Sequence, residues 1–242
     1  MVNYDNTKAE IIAEMKKIGA AVRGYDQYTR HLNSLNKNDL MELYHKMLDA
    51  IIATKIDRIL NGQEPGNETY KPYVDEYNRK TNLLMEARRA TTLKFKERVA
   101  ARVDADLGND LVLDITSYRV TMGIPSTDDK RRSNLTIDLY YRENLGWGED
   151  GCAKIHSGRM EVNQPTWGSW DPLAPENSYI RRFFEVLNDI CKRPQFVTKL
   201  AGLFDEEYQS RWAFDKDMNK EKKMAKESLW PIVQKEVEST RW

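Results

Sequence analysis

The sequence predicts an α+β fold: long N-terminal helices in a coiled-coil-like three-helix arrangement, a central antiparallel β-meander of about three strands, and C-terminal helices. Three observations carry this expectation. Apolar residues recur at steps of three and four from Ile11 to Val103, switch to a period of two between Leu111 and Tyr141, and return to the helical period after Pro175.

The first helix is set by Thr7 and Glu10, the spacing at which each side chain can bond the other's backbone N–H. From it run Ile11, Met15, Ile18, Val22, Tyr25, Thr29 and Leu32, an a/d seam with a weak point at Gly24. After the polar stretch Asn33, Ser34, Asn36 and Asn38, a second helix is expected from about Asp39. Its wide stripe runs from Leu40 through Met47, Ile52 and Ile56 to Leu60, and Asn61 and Gly62 form the stop. A third helix is expected from Pro72 to about Leu107, with Val74, Tyr77, Thr81, Leu84, Arg88, Phe95, Val99 and Val103 on one stripe. Arg88 is the charged member of that stripe.

Leu111 to Met122 alternates as one strand or as two joined at Ser117, and Leu135, Ile137, Leu139 and Tyr141 alternate again. The charged segment 126–134 between them reads as a hairpin tip, and a further strand is expected over Ala153 to Val162. Connections this short build antiparallel pairs, because parallel pairing needs a crossover. Beyond a loop holding Trp167 and Trp170, helices return. Tyr179, Ile180, Phe183, Phe184, Val186, Leu187 and Ile190 make a wide apolar face, a short helix starts at Pro194 and closes at Gly202, and further helices run from Asp205, with a kink or restart at Pro231. The expected division is a helical region over residues 1–108 and a sheet with C-terminal helices over 109–242, the two separate or continuous.

Composition bounds function. The 242 residues carry 38 basic and 38 acidic side chains, a formal net charge of zero, so no overall field draws the chain to nucleic acid or an anionic membrane. No apolar run reaches the length of a membrane span or a signal-peptide core, which places the expected location in the cytoplasm, the host cytoplasm for a viral protein. Cys152 and Cys191 read as free thiols. Neither these nor His31, His45 and His156 stand at metal-ligand spacing, and Cys152 and His156, four residues apart on a strand, are too distant to act as nucleophile and base. The glycines of 146–151 lack the Lys-Ser/Thr of a phosphate loop. No catalytic residue, metal or cofactor is expected.

Two functions from different classes follow. The first is a non-enzymatic protein-interaction module with Trp167, Trp170 and Trp147 as partner-binding residues, since tryptophan anchors interfaces. Its partner would be another protein or further copies of itself. The texture is that of a virus-encoded or mobile-element protein that inhibits or assembles with a host component. The alternative is nucleic-acid binding through the basic edges of the third helix, Arg88, Arg89, Lys94, Lys96, Arg98 and Arg102, with Lys130, Arg131 and Arg132 at the hairpin tip. Glu86, Glu97, Asp104 and Asp106 dilute that patch. A metal-dependent enzyme using Asp114, Asp138, Glu143 and Glu161 is a third, weaker alternative.

Overall fold

Helix formation begins where the sequence supplies partners for the first free backbone N–H groups. In the computed structural model, which describes residues 3–22, 31–64, 68–125, 133–147, 153–162 and 178–240, Thr7 Oγ1 accepts from the Glu10 N–H at 3.3 Å. The Thr7 N–H donates to Glu10 Oε2 at 2.7 Å. That reciprocal box opens α1 (Lys8–Ala21). Asn36 caps α2 (Lys37–Leu60) in the same way, its side chain accepting from the Asp39 N–H at 2.9 Å. Of the seam beyond Val22, Tyr25 and Thr29 lie outside the described residues, and Leu32 is buried in a single 3-10 turn. The long helix α3 (Lys71–Leu107) follows.

The extended segment is two strands, β1 (Val112–Ile115) and β2 (Arg119–Pro125), because a tight turn intervenes in which the Thr116 N–H donates to the Arg119 carbonyl at 2.9 Å. With β3 (Ser133–Trp147) and β4 (Ala153–Val162) they make a four-stranded antiparallel sheet in chain order, Leu111 to Met122 supplying two strands on either side of Ser117. Register pairs Val120 with Leu139 and Met122 with Ile137, so the apolar residues of adjacent strands share a face. The chain ends in α4 (Ser178–Lys192) and α5 (Pro194–Ser239).

The C-terminal half corrects two local expectations. Gly202 does not close a helix and, of the kink or restart expected at Pro231, the restart does not occur, since α5 runs unbroken past both. Proline inside a helix costs about 3 kcal/mol through its missing donor and ring clash. Burying Leu229, Val233 and Val237, each close to fully enclosed, returns about 1.5 kcal/mol or more apiece, which outweighs it.

Two compact units result, and they are interleaved in sequence: residues 1–83 with 217–242, and residues 84–216. In the first, Ile11, Met15 and Ile18 of α1 and the stripe of α2 enclose a core to which α5 adds Leu229, Val233 and Val237. Polar links join the same helices. Lys226 Nζ donates to Asp57 Oδ2 at 2.8 Å, Lys222 lies 3.1 Å from Oδ1, and both Lys55 and Tyr70 donate to Glu236. The Lys226 hydrogen bond, with help from Lys222, holds the Asp57 carboxyl below its ordinary range. In the second unit, one sheet face presents Val120, Met122, Ile124, Ile137, Leu139, Tyr141 and Met160. These share a core with Phe95, Val99 and Val103 of α3, Phe183, Val186 and Ile190 of α4, and Phe196, Leu200 and Phe204 of α5.

The end of α3 is tied to α4. Gly108 takes a positive φ of 99° while its N–H still bonds the Asp104 carbonyl, closing the helix. The Arg182 guanidinium donates to the Leu107 carbonyl at 2.8 Å and grips Asp110 at 2.7 and 2.8 Å, which lowers the Asp110 carboxyl below its ordinary range. A Cβ on Gly108 would stand 3.2 Å from Arg182 Nη2 and from Asp110 Oδ1, so strain and crowding coincide.

These features give two expectations, both read by urea denaturation. Gly202 has open space where a Cβ would stand, and Pro231 is exposed. Gly202→Ala should therefore raise stability by about 0.5–1 kcal/mol and Pro231→Ala by about 1–3 kcal/mol. Arg182→Gln should cost about 1 kcal/mol once solvent screening of the half-exposed Asp110 is allowed for. Because Asp110 is depressed in the folded chain, that difference should be full above about pH 4 and fade as pH falls through the folded value.

Candidate functional site

The basic edge of α3 is assembled by helical spacing, and the fold decides which of its charges remain available. Arg88, the charged residue on the apolar stripe, turns inward to Glu207 of α5 in a two-pronged ion pair, with one arm at 3.0 Å. Glu207 is 1 % exposed at its side chain and Arg88 15 %. Arg88 Nη1 also lies 3.5 Å from Ser210 Oγ and 3.4 Å from Thr91 Oγ1. Arg98 forks onto Glu206, whose carboxyl the contact lowers, and Arg102 reaches Asp106 at 3.5 Å. Arg89, Lys94 and Lys96 are exposed and, among the described residues, have no carboxylate partner. Lys130, Arg131 and Arg132 lie outside the described residues.

Of the tryptophans expected to anchor a partner, Trp167 and Trp170 also lie outside the described residues. Trp147 is the last residue of β3, in register with Ala153, and its side chain is not among those described. Of the sheet carboxylates, Asp114, Asp138 and Glu161 are brought onto one face without converging, and the side chain of Glu143 is not among those described. Asp114 and Asp138 both pair in register with Thr121, whose hydroxyl donates to Asp138 at 2.5 Å. Asp114 meets Arg119 at 3.5 Å, and Glu161 meets Arg142 at 3.2 Å and Arg159 at 2.5 Å. Among the described residues, no group of three or more His, Cys, Asp or Glu side chains could hold a metal ion. Cys191 is a free, exposed thiol on α4, and Cys152 is outside the described residues. No helix among them is long and apolar enough to cross a membrane.

Sequence reasoning missed the apolar residues that the helices leave in solvent. In the second unit Trp212 is 55 % exposed, with Lys216 Nζ 5.5 Å from its ring centre, and Leu93 is 58 % exposed. On α5, Trp212 sits beside the buried line of Phe204 and Glu207 rather than on it. The available signal was its angular offset from that line.

In the first unit a groove of about 380 Å³ opens between the start of α3 and the end of α5. Tyr73 and Tyr77 stand one turn apart on α3, as do Glu76 and Lys80. Glu221, Met224, Ala225 and Ser228 of α5 follow i, i+3, i+4, i+7 spacing and form the opposite wall. Lys80 sits between the carboxylates, 3.5 Å from Glu76 and 3.4 Å from Glu221, while Arg79 donates twice to Glu76 at 2.8 and 2.9 Å.

The enclosed pair gives a direct expectation. Arg88→Met should destabilise the chain by about 3–5 kcal/mol in urea denaturation, since it leaves the Glu207 carboxylate buried alone. The double change Arg88→Met/Glu207→Leu should recover most of that loss. No family model, no curated protein and no solved structure matches the chain.

Proposed function

We propose that this chain is a non-enzymatic protein-interaction module. The observation that carries the reading is Trp212, a large aromatic side chain left mostly in solvent on a helix whose inward side is already filled by Phe196, Leu200 and Phe204. Leaving such a ring in water forgoes about 1.5–3 kcal/mol of burial, and an indole with a basic neighbour is the kind of anchor around which interfaces concentrate their energy. Leu93, on α3 of the same unit, is a second exposed apolar side chain. The partner in this reading is another protein, either a further copy of the chain or a component that it inhibits or assembles with, as a virus-encoded or mobile-element protein would with its host. The Trp167 and Trp170 loop is proposed as a second anchor.

Nucleic-acid binding is the competing reading, supported by the exposed Arg89, Lys94 and Lys96, which have no carboxylate partner among the described residues. Arg88, Arg98 and Arg102, engaged with carboxylates on their own chain, weaken it.

The test is photo-crosslinking and light scattering on the full chain. The reading expects a defined complex whose affinity drops tenfold or more in Trp212→Ala and is kept in Trp212→Phe, with unchanged circular dichroism. A low-salt gel shift of nucleic acid, abolished by Arg89→Ala/Lys94→Ala/Lys96→Ala, with no Trp212-dependent complex, would replace it by the nucleic-acid reading.

A further inference from the structure

We infer that the outward face of α3 around Leu93 pairs with the same face of a second copy of the chain, the two helices running antiparallel about a two-fold axis at Leu93. The inference rests on the reading of the chain as a protein-interaction module, and it names a partner for that module on a surface apart from Trp212.

Position around the helix gives the first argument. At about 100° per residue, Arg88, Phe95 and Arg98 lie about 140–160° around α3 from Leu93. Those three residues meet Glu207, Phe204 and Glu206 of α5. Leu93 therefore points away from the helix that α3 packs on, and it is 58 % exposed. Ala90 and Ala101 on its flank are exposed as well, and side chains this small let a second helix axis approach to about 8–10 Å.

Charge selects the occupant. Arg89 and Glu97 stand four residues before and four after Leu93, about 40° to either side of it. Both are exposed and neither has an ionic partner among the described residues, although Arg88, Arg98 and Arg102 of the same helix all reach carboxylates of this chain. A two-fold axis at Leu93 brings each residue before it level with the residue equally far after it on the other copy. Arg89 of each copy then stands level with Glu97 of the other, and Leu93 meets Leu93. The same operation sets Lys96 level with Ala90 and Glu86 level with Ala100, so no like charges on this face are opposed. Sliding one helix by a heptad sets Leu93 against Glu86 in one direction. In the other it meets Ala100, which already packs against the core of its own chain. The register centred on Leu93 is the one that encloses the two exposed leucines together. A nucleic acid would instead be repelled by Glu86, Glu97 and Asp104, which are exposed along the same line as Leu93. One pair of helices encloses less than the ~1,200–2,000 Å² of a standard interface, so the dimer is reversible.

The test is sedimentation equilibrium of the full chain from about 1 to about 300 µM, a range suited to small interfaces. The unaltered chain should form a dimer that weakens with added salt, because its ion pairs are exposed. Arg89→Glu alone and Glu97→Arg alone should each weaken it tenfold or more, with unchanged circular dichroism. Mixed in equal amounts, those two variants should associate as tightly as the unaltered chain, since every charge pair across the mixed interface again joins opposite signs. The double change Arg89→Glu/Glu97→Arg should pair with itself for the same reason. A monomer at every concentration, a dimer indifferent to salt or to the reversals, or variants that stay apart when mixed would overturn the inference. The concentration and salt arms use the unaltered chain, so a variant that fails to fold does not blunt them. If the chain stays monomeric while a Trp212-dependent complex with another protein is found, the Leu93 face is dismissed and the module stands. If the dimer forms by these charges and no Trp212-dependent complex does, the face stands and Trp212 loses its role as anchor.

Discussion

Burial of the α5 stripe is the constraint on which both cores depend. One end of this 46-residue helix places Phe196, Leu200 and Phe204 against the sheet and α4, and the other places Leu229, Val233 and Val237 against α1 and α2. Neither set is optional. Without the first, the apolar sheet face lacks part of its cover. Without the second, the wide stripe of α2 is left facing water, and enclosing such side chains is the main favourable contribution to folding.

Away from those ends the long helices are held by other means. No residue of α3 from Asn82 to Lys94 is buried, and none of α5 from Tyr208 to Ser228. Helix stretches without a buried face rely on their own backbone bonds and on charge pairs. Here Arg88 and Glu207 supply a pair that is enclosed rather than solvated, and its value is largely directional. A buried ion pair adds little net stability over apolar residues of the same size, but its two-pronged geometry accepts only one pairing of the facing side chains. The exposed Trp212 and the exposed Leu93 lie on helix stretches of this kind.

Much of the architecture was legible because it is local. The Thr7 and Glu10 box, the α2 stripe and the alternation of β2 and β3 each lie within a few residues and each reports directly on hydrogen bonding or burial. What failed was local too, but was overruled from a distance. Gly202 and Pro231 signal a break in any short window, and α5 continues because Leu200 and Phe204 beside the first and Leu229 and Val233 beside the second are enclosed by distant parts of the chain. Arg88 was visible as an anomaly on its stripe, but its explanation, Glu207, lies 119 positions away and has no periodic signature. The groove was invisible for the same reason. Tyr77 reads as an ordinary member of the α3 stripe until α5 supplies Glu221 and Met224 across from it.

The interleaving of the two units has a consequence for biosynthesis. A ribosome releases α1 and α2 first, but the residues that complete their core belong to the last part of α5. The early helices must therefore wait, with Ile51, Ile52 and Ile56 only partly sheltered, while the whole sheet-bearing segment is made and can close on itself. Domains ordinarily mature from the N-terminus onward during translation. Here the order is inverted: the inner segment can finish first and the outer one last, which makes the newborn chain most dependent on chaperones just before the last part of α5 emerges.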